Sequence, residues 1–306
     1  MPRTLSHFGL RPLLFVLLLL AALNLCGTSH AAENTEPKQG ILLAAFGTSV
    51  PEAQPAFTAV DAEFKKAFPG APVVWAYTSQ IIRKKLAEQG RPVGGISDGL
   101  AQLAKDGVKV VRVQSLHVLA GEEFTALERA VLLDVSKNPG RFEAVFMGRP
   151  LLESKADAKE LLAVIEADTK SARGKNSALV LMGHGQSHGR ADLAFEGVCA
   201  VFKAGDKNIH MATVEGARNF DDMLKNLKAA RIKHVVVAPL MMVAGDHARN
   251  DLAGDEDDSW ANQLKAAGIK VDAHLKGLGE TPGAAAILVR HAKESTDDLT
   301  KEPKKP

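Results

Sequence analysis

Four residues of this 306-residue chain stand where a side chain could handle protons and metal ions. His184 lies between glycines in Gly183-His184-Gly185, and His247 closes Gly245-Asp246-His247. Glu215 follows the apolar run Ile209–Val214, and Glu123 ends Gly121-Glu122-Glu123. A neutral imidazole accepts a proton near neutral pH and also ligates metal ions. Two imidazoles and a carboxylate suit a borderline divalent ion such as Co, Zn, Ni or Fe. A three-ligand set leaves coordination positions open for a substrate. Plainer accounts stand beside these: a turn in which His184 only hydrogen-bonds, a solvated loop for His247, a surface carboxylate for Glu215. Asp246 is the neighbour that could orient His247, although adjacent side chains often point apart. The spacing is dispersed, with no HExxH and no clustered Cys/His motif, so the pattern alone does not fix the chemistry.

His117 ends an apolar run and His188 lies four residues past His184, so both are candidates for the substrate side of a site. His210, His234, His274 and His291 read as surface or satisfied core residues. The acidic run Asp255-Glu256-Asp257-Asp258 reads as a helix beginning, where negative charge is favoured, or as a metal-delivery patch. No GxxxxGK[ST] loop and no GxGxxG after the first strand occur. ATP and nucleotide cofactors therefore have no support.

The elements that must position these residues alternate. Strand-like runs cover Gly40–Phe46, Pro72–Tyr77, Val108–Val113, Phe142–Met147, Ala178–Met182, Ile209–Val214, His234–Ala238 and Val271–Leu275. Helical stretches separate them, the last at Pro282–Glu294. Largely apolar strands between helices indicate a parallel sheet covered on both faces. The order also repeats. VKVVRVQSLHVLAGEEF at 108–124 matches IKHVVVAPLMMVAGDHA at 232–248, and ILLAAFGTS at 41–49 matches LVLMGHGQS at 179–187. In that register Glu123 falls opposite His247 and Phe46 opposite His184. The period is far too long for a solenoid array, so a domain has been duplicated. We expect two similar α/β halves, 38–152 and 153–298, facing each other across a cleft, with 299–306 a disordered tail. Ligands of open α/β sheets bind outside the carboxyl ends of the strands, which is where the four residues fall.

Residues 1–31 read as a signal peptide. Arg3 and Arg11 flank the apolar run Leu13–Leu25, and Ser29-His30-Ala31 offers small residues for cleavage. The run is too short to span a bilayer comfortably, which takes about 20 residues. The expectation is a periplasmic protein beginning near Ala32, with no integral membrane segment after cleavage. Losing Arg3 and Arg11 brings the formal charge of +2 to about zero, so no basic excess is left for nucleic acid. Of the two cysteines only Cys199 remains, which excludes an intramolecular disulfide and a thiolate-rich metal site.

Several motifs occur in an order that resembles a known family. AAFGTS at 44–49, YTSQIIRKKL at 77–86, VQSLHVLAGEEF at 113–124, MGHGQSH at 182–188, PLMMVAGDHARND at 239–251, DDSW at 257–260 and GLGETP at 277–282 are similar to the CbiK-type anaerobic cobalt chelatases of cobalamin biosynthesis. These belong to the class II chelatases. The resemblance covers nearly all of Gly40–Ala292. It implies two flavodoxin-like halves and ATP-independent insertion of Co²⁺ into the tetrapyrrole sirohydrochlorin. It implies His184 and His247 as metal-binding and catalytic histidines, Glu215 as a further metal ligand, and Glu123 toward the substrate. Iron insertion into sirohydrochlorin or a related tetrapyrrole is the alternative within this class. A periplasmic tetrapyrrole- or metal-binding protein without turnover is the alternative outside it. Homo-oligomer formation is compatible with these motifs and not specified by them. Export departs from the usual cytoplasmic members of the family.

Overall fold

Strand β1 (Gln39–Ala45) is apolar and buried from Gly40 onward, so both of its faces need a cover. They receive different ones. Ile41, Leu43 and Ala45 join one hydrophobic cluster while Leu42 and Ala44 join another on the opposite face, as the two-residue period of a strand requires. Strand β5 (Ala178–Gly183) repeats the device, with Leu179 and Leu181 on one side and Ala178, Val180 and Met182 on the other. The computed structural model describes residues 37–301 apart from 175–176 and 187–189, and places them in one compact unit.

The unit holds two four-stranded, wholly parallel sheets of the same order. The first is β2-β1-β3-β4, adding β2 (Val73–Tyr77), β3 (Val110–Ser115) and β4 (Ala144–Gly148). The second is β6-β5-β7-β8, adding β6 (Ile209–Thr213), β7 (His234–Pro239) and β8 (Lys270–Ala273). The duplication read from 108–124 and 232–248 is thus a duplication of topology. The helices are α1 (Gln54–Ala67), α2 (Gln80–Glu88), α3 (Ile96–Lys105), α4 (Glu122–Lys137), α5 (Lys155–Thr169), α6 (Arg190–Gly205), α7 (Phe220–Ala229), α8 (Trp260–Ala266) and α9 (Pro282–Glu294). Among the described residues no helix is long and apolar enough to cross a membrane.

The halves are not separate bodies joined by a linker. Residues of β1 and β5 share one hydrophobic cluster with Phe57, Phe64, Leu161, Phe202 and Ile287 from the helices between the sheets. The last helix departs from the simple division at 152/153. Sequence order puts α9 with the second half, but it packs on α1, β3 and β4 of the first. Behind it, Leu299 N–H donates to Val145 O at 2.8 Å and Asp298 forms an antiparallel bridge with Phe146. Residues 299–301 are therefore tied to the edge of the first sheet instead of trailing from it, and 302–306 lie outside the described residues. A helix at Pro282–Glu294 was readable from the sequence; which sheet it covers was not, since either offers a complementary surface.

Buried charge fixes α9 in place. Asp157 and Ser154 form a reciprocal cap at the start of α5: Ser154 N–H donates to Asp157 and Asp157 N–H donates to Ser154 Oγ. The same carboxylate accepts from Arg290 and from fully buried His291, each at 3.0 Å. Burial pushes the Asp157 carboxyl up, but the hydrogen bonds from Ser154, His291 and Arg290 outweigh it and hold the group at about 2.

Candidate active site

The glycines around His184 have separate steric reasons. A Cβ on Gly183 would sit 2.6 Å from a ring carbon of Phe195. Gly185 has φ +76°, and a Cβ there would lie 1.8 Å from the Glu215 carbonyl oxygen. The loop after β5 is therefore pressed against the loop after β6. Two backbone bonds hold it, Val214 N–H to Gly183 O at 3.0 Å and Glu215 N–H to His184 O at 2.9 Å. His184 and Glu215 thus stand on adjacent, hydrogen-bonded strand ends, both exposed.

His247 begins a turn of π-helix, His247–Leu252, anchored by fully buried Ala248 and Leu252. Single π turns of this kind are frequent at functional sites. His247 Nδ1 lies 2.6 Å from Asp251 Oδ2, one turn along. Asp246, the adjacent acid, is exposed and is not the ring's partner. The orienting carboxylate is the one the sequence reading missed. The i, i+4 spacing within His-Ala-Arg-Asn-Asp was the available signal.

The two imidazoles meet. Their ring centroids are 4.8 Å apart and their planes stand at 83°, edge to face. Each ring also has a defined tautomer. His184 Nδ1 lies 2.9 Å from Gly185 O, and a carbonyl oxygen can only accept, so Nδ1 carries the hydrogen. The Asp251 carboxylate makes the same demand of His247 Nδ1. In the neutral state both rings therefore leave Nε2 with a free lone pair, the form that takes a proton or binds a metal ion.

The other expected residues fall around this pair. Glu215 has no side-chain partner among the described residues. Glu123 stands in the first turn of α4, where the helix dipole favours an acid, and accepts from the Thr78 hydroxyl at 3.3 Å. His117 Nδ1 pairs with Ser115 Oγ at 2.9 Å, while its Nε2 is buried and has no partner among the described residues. Burial pushes the His117 imidazole down to about 4, so it is neutral at physiological pH. His188 lies outside the described residues. Among those that are described, no group of three or more His, Cys, Asp or Glu is arranged to hold a metal ion; what the fold assembles is a two-imidazole centre. The acidic run 255–258 precedes α8 as a loop, its backbone carbonyls gathered by the side-chain amides of Asn262 and Gln263.

Loops of the first half close against this centre. A Cβ on Gly121, after β3, would lie 2.9 Å from the Gln186 side chain, two residues past His184. A Cβ on Gly245 would lie 3.6 Å from Thr48 Oγ1, in the loop after β1. Four strand-end loops, two from each half, therefore converge. Among the described residues five large apolar side chains stand exposed: Phe46, Ile81, Leu132, Leu133 and Leu193.

The family model for cobalt chelatase (CbiK) matches residues 39–297, which is nearly all of the described fold. The chain belongs to the CbiK family of cobalt chelatases. Sirohydrochlorin cobaltochelatase CbiKC of Nitratidesulfovibrio vulgaris is 33% identical over 254 residues, covering 83% of this chain and 89% of the relative. Sirohydrochlorin cobaltochelatase of Salmonella typhimurium is 32% identical over 267 residues, covering 87% of this chain and 99% of the relative. Among solved structures, SirB from Bacillus subtilis with Fe³⁺ superposes with a TM-score of 0.61 at 15% identity, over 84% of this chain and 95% of that one. DR2241 from Deinococcus radiodurans, a multi-domain protein with structural similarity to chelatases, gives 0.56 at 14% identity, over 87% of this chain and 57% of its own. These two likenesses bear on fold, and agree with two flavodoxin-like halves.

Proposed function

We propose that this CbiK-family enzyme inserts Co²⁺ into sirohydrochlorin without ATP, and does so outside the cytoplasm. The observation that carries the chemistry is the imidazole pair, with both Nε2 lone pairs free. Metallation must strip water from the ion and remove two pyrrole N–H protons. His184, on the more exposed loop, is the chief proton acceptor and a metal ligand; His247, held by Asp251, is the second ligand. Glu215, one backbone bond from His184, completes the coordination once the ion arrives. Glu123, from the first half, receives protons on the substrate side. Formation of metal–nitrogen bonds supplies the driving force, so no nucleotide is required.

The test uses purified protein lacking residues 1–31, sirohydrochlorin and Co²⁺, with absorbance followed over time. Metallation well above the spontaneous rate, unchanged by adding or omitting ATP, is expected. A strict ATP requirement, or a rate equal to the uncatalysed one, refutes the reading. Fe²⁺ run in parallel separates iron from cobalt insertion, and ligand binding without turnover would indicate a carrier. Export rests on the charged start, the short apolar run and Ser29-His30-Ala31. N-terminal sequencing of protein from the periplasmic fraction should begin near Ala32; intact Met1 recovered in the cytoplasm would overturn it.

A further inference from the structure

The motif GLGETP at 277–282 lies outside the imidazole centre, yet its backbone is pressed against the loop that carries His247. A Cβ on Gly277 would lie 2.6 Å from Met242 O and 2.7 Å from Val243 Cα, and one on Gly279 would lie 3.0 Å from Met242 O. These obstacles are main chain, which cannot swing aside as the tip of a side chain can, so the approach requires glycine. Leu278 N–H donates to Met241 O and Gly279 N–H to Met242 O, each at 2.9 Å. Segment 241–244 then runs into Gly245-Asp246-His247, and Arg249 Nε, from the π turn, donates to Ala244 O at 3.1 Å. At the other end of the loop Leu240 N–H donates to Met182 O at 2.7 Å, two residues before His184. The His247 loop is therefore held between the end of β5 and the 277–279 backbone.

That backbone is itself braced from two sides. Gly279 faces α1 of the first half, where a Cβ would lie 3.2 Å from Ala56. Just upstream, His274 and Lys276 both reach one carboxylate, Asp168 in the last turn of α5. His274 Nε2 lies 2.7 Å from Asp168 Oδ2, and Lys276 Nζ donates to Asp168 Oδ1. All three residues are half-buried. Burial pushes the Asp168 carboxyl up, but the hydrogen bonds from Lys276 and His274 outweigh it and hold the group below its ordinary value. Hydrogen bonds to an ionised carboxylate are roughly twice as strong as neutral ones. A second pair on the same two strands gives a contrast: His234 Nε2 lies 2.6 Å from Asp272 Oδ2, at the amino-terminal end of β7 and so away from the His247 loop. We infer that Asp168, through His274, Lys276 and the 277–279 backbone, is a positioning residue for His247 and so sets the metal affinity of the imidazole centre. The inference rests on the reading of His247 as a metal ligand.

The test is Co²⁺ calorimetry and visible absorption on the protein lacking residues 1–31, without tetrapyrrole, with amide hydrogen exchange of 240–247 in the metal-free state. Asp168→Ala should quicken exchange across 240–247, as expected of a loop that opens more readily. It should also weaken Co²⁺ binding by about 3–30-fold, the scale for a residue that acts through a packed network and not by contact. The Co²⁺ spectrum should shift with it, because a displaced imidazole alters the ligand field. Asp168→Glu should recover part of the loss, since it keeps the charge that Lys276 and His274 grip. Gly277→Ala, which must push the Met242–Val243 backbone, should reproduce the weakened binding and the shifted spectrum. It is the deciding variant should Asp168→Ala fail to fold. Asp272→Asn should bind Co²⁺ as wild type, because the pair it breaks lies at the other end of β7. Wild-type affinity and spectrum in both Asp168→Ala and Gly277→Ala overturn the inference. So does faster exchange in Asp168→Ala beside unaltered Co²⁺ binding, which would make the brace structural only. An equal loss in Asp272→Asn overturns it as well, since any loosening of the second sheet would then suffice. Unaltered Co²⁺ affinity in His247→Ala would instead strike the ligand reading on which the inference depends.

Discussion

Alanine at His184 or at His247 should lower the rate of metallation by at least about 10²-fold, and up to about 10⁴-fold from proton transfer alone. Loss of a metal ligand adds to that figure. Both effects arise because each ring presents Nε2, and the ring-to-ring distance of 4.8 Å lets one small ligand engage the two together. For the same reason the double variant should be little worse than the poorer single one, since groups that act as a unit are not additive. Stability should be nearly unchanged. His184 is exposed and His247 half-buried, so truncation opens no core cavity of the kind that costs several kcal/mol. Steady-state metallation with circular dichroism on all three variants checks this. Near-wild-type turnover by either single variant, with an unaltered spectrum, would place the reacting centre elsewhere.

The strands and their parallel pairing were legible because the fold demands apolar residues on both faces of β1 and β5, and such runs stand out in any sequence. The duplication was legible for a related reason: 108–124 and 232–248 keep Lys, Val, Leu, Ala and Gly in register while Glu123 and His247 differ. That divergence has a physical reading in the folded chain. The second half puts His184 and His247 at positions where the first has Phe46 and Glu123. One half thus presents two imidazoles, the other an exposed aromatic ring and a carboxylate. What could not be read lies where contacts are long-range or too local to be periodic. The π turn spans six residues, too few for its wider period to register against an ordinary helix. The return of α9 to the first sheet depends on packing between surfaces far apart in sequence. The seating of Gly121 against Gln186 is visible only once two loops from different halves are brought together.

Asp251 is where that illegible detail should matter most. Its Oδ2 lies 2.6 Å from His247 Nδ1, and the bond fixes both the rotamer of the ring and the nitrogen that carries its hydrogen. Carboxylates in this relation to a ligating histidine commonly control metal affinity or activity by about 10–100-fold. Asp251→Asn is the sharper variant, because an amide has nearly the same shape. Turned one way its oxygen accepts from Nδ1–H as before; turned the other its NH₂ donates to Nδ1 and forces the hydrogen onto Nε2, which blocks the ligand position. Co²⁺ affinity of the tetrapyrrole-free protein should therefore fall by about 10-fold or more in Asp251→Asn and further in Asp251→Ala. Asp251→Glu should recover part of the loss. The visible absorption of bound Co²⁺ should change as well, since an imidazole leaving the coordination sphere alters the ligand field, which a loosened but intact turn would not do. Calorimetry and Co²⁺ spectra on the three variants, with Asp246→Asn alongside, decide the point. Asp246→Asn should resemble wild type, because Asp246 is exposed and is not the ring's partner. Wild-type affinity and an unshifted spectrum in Asp251→Asn, or an equal loss in Asp246→Asn, would show that Asp251 does not orient His247 for metal binding and that the short contact between them serves only the turn.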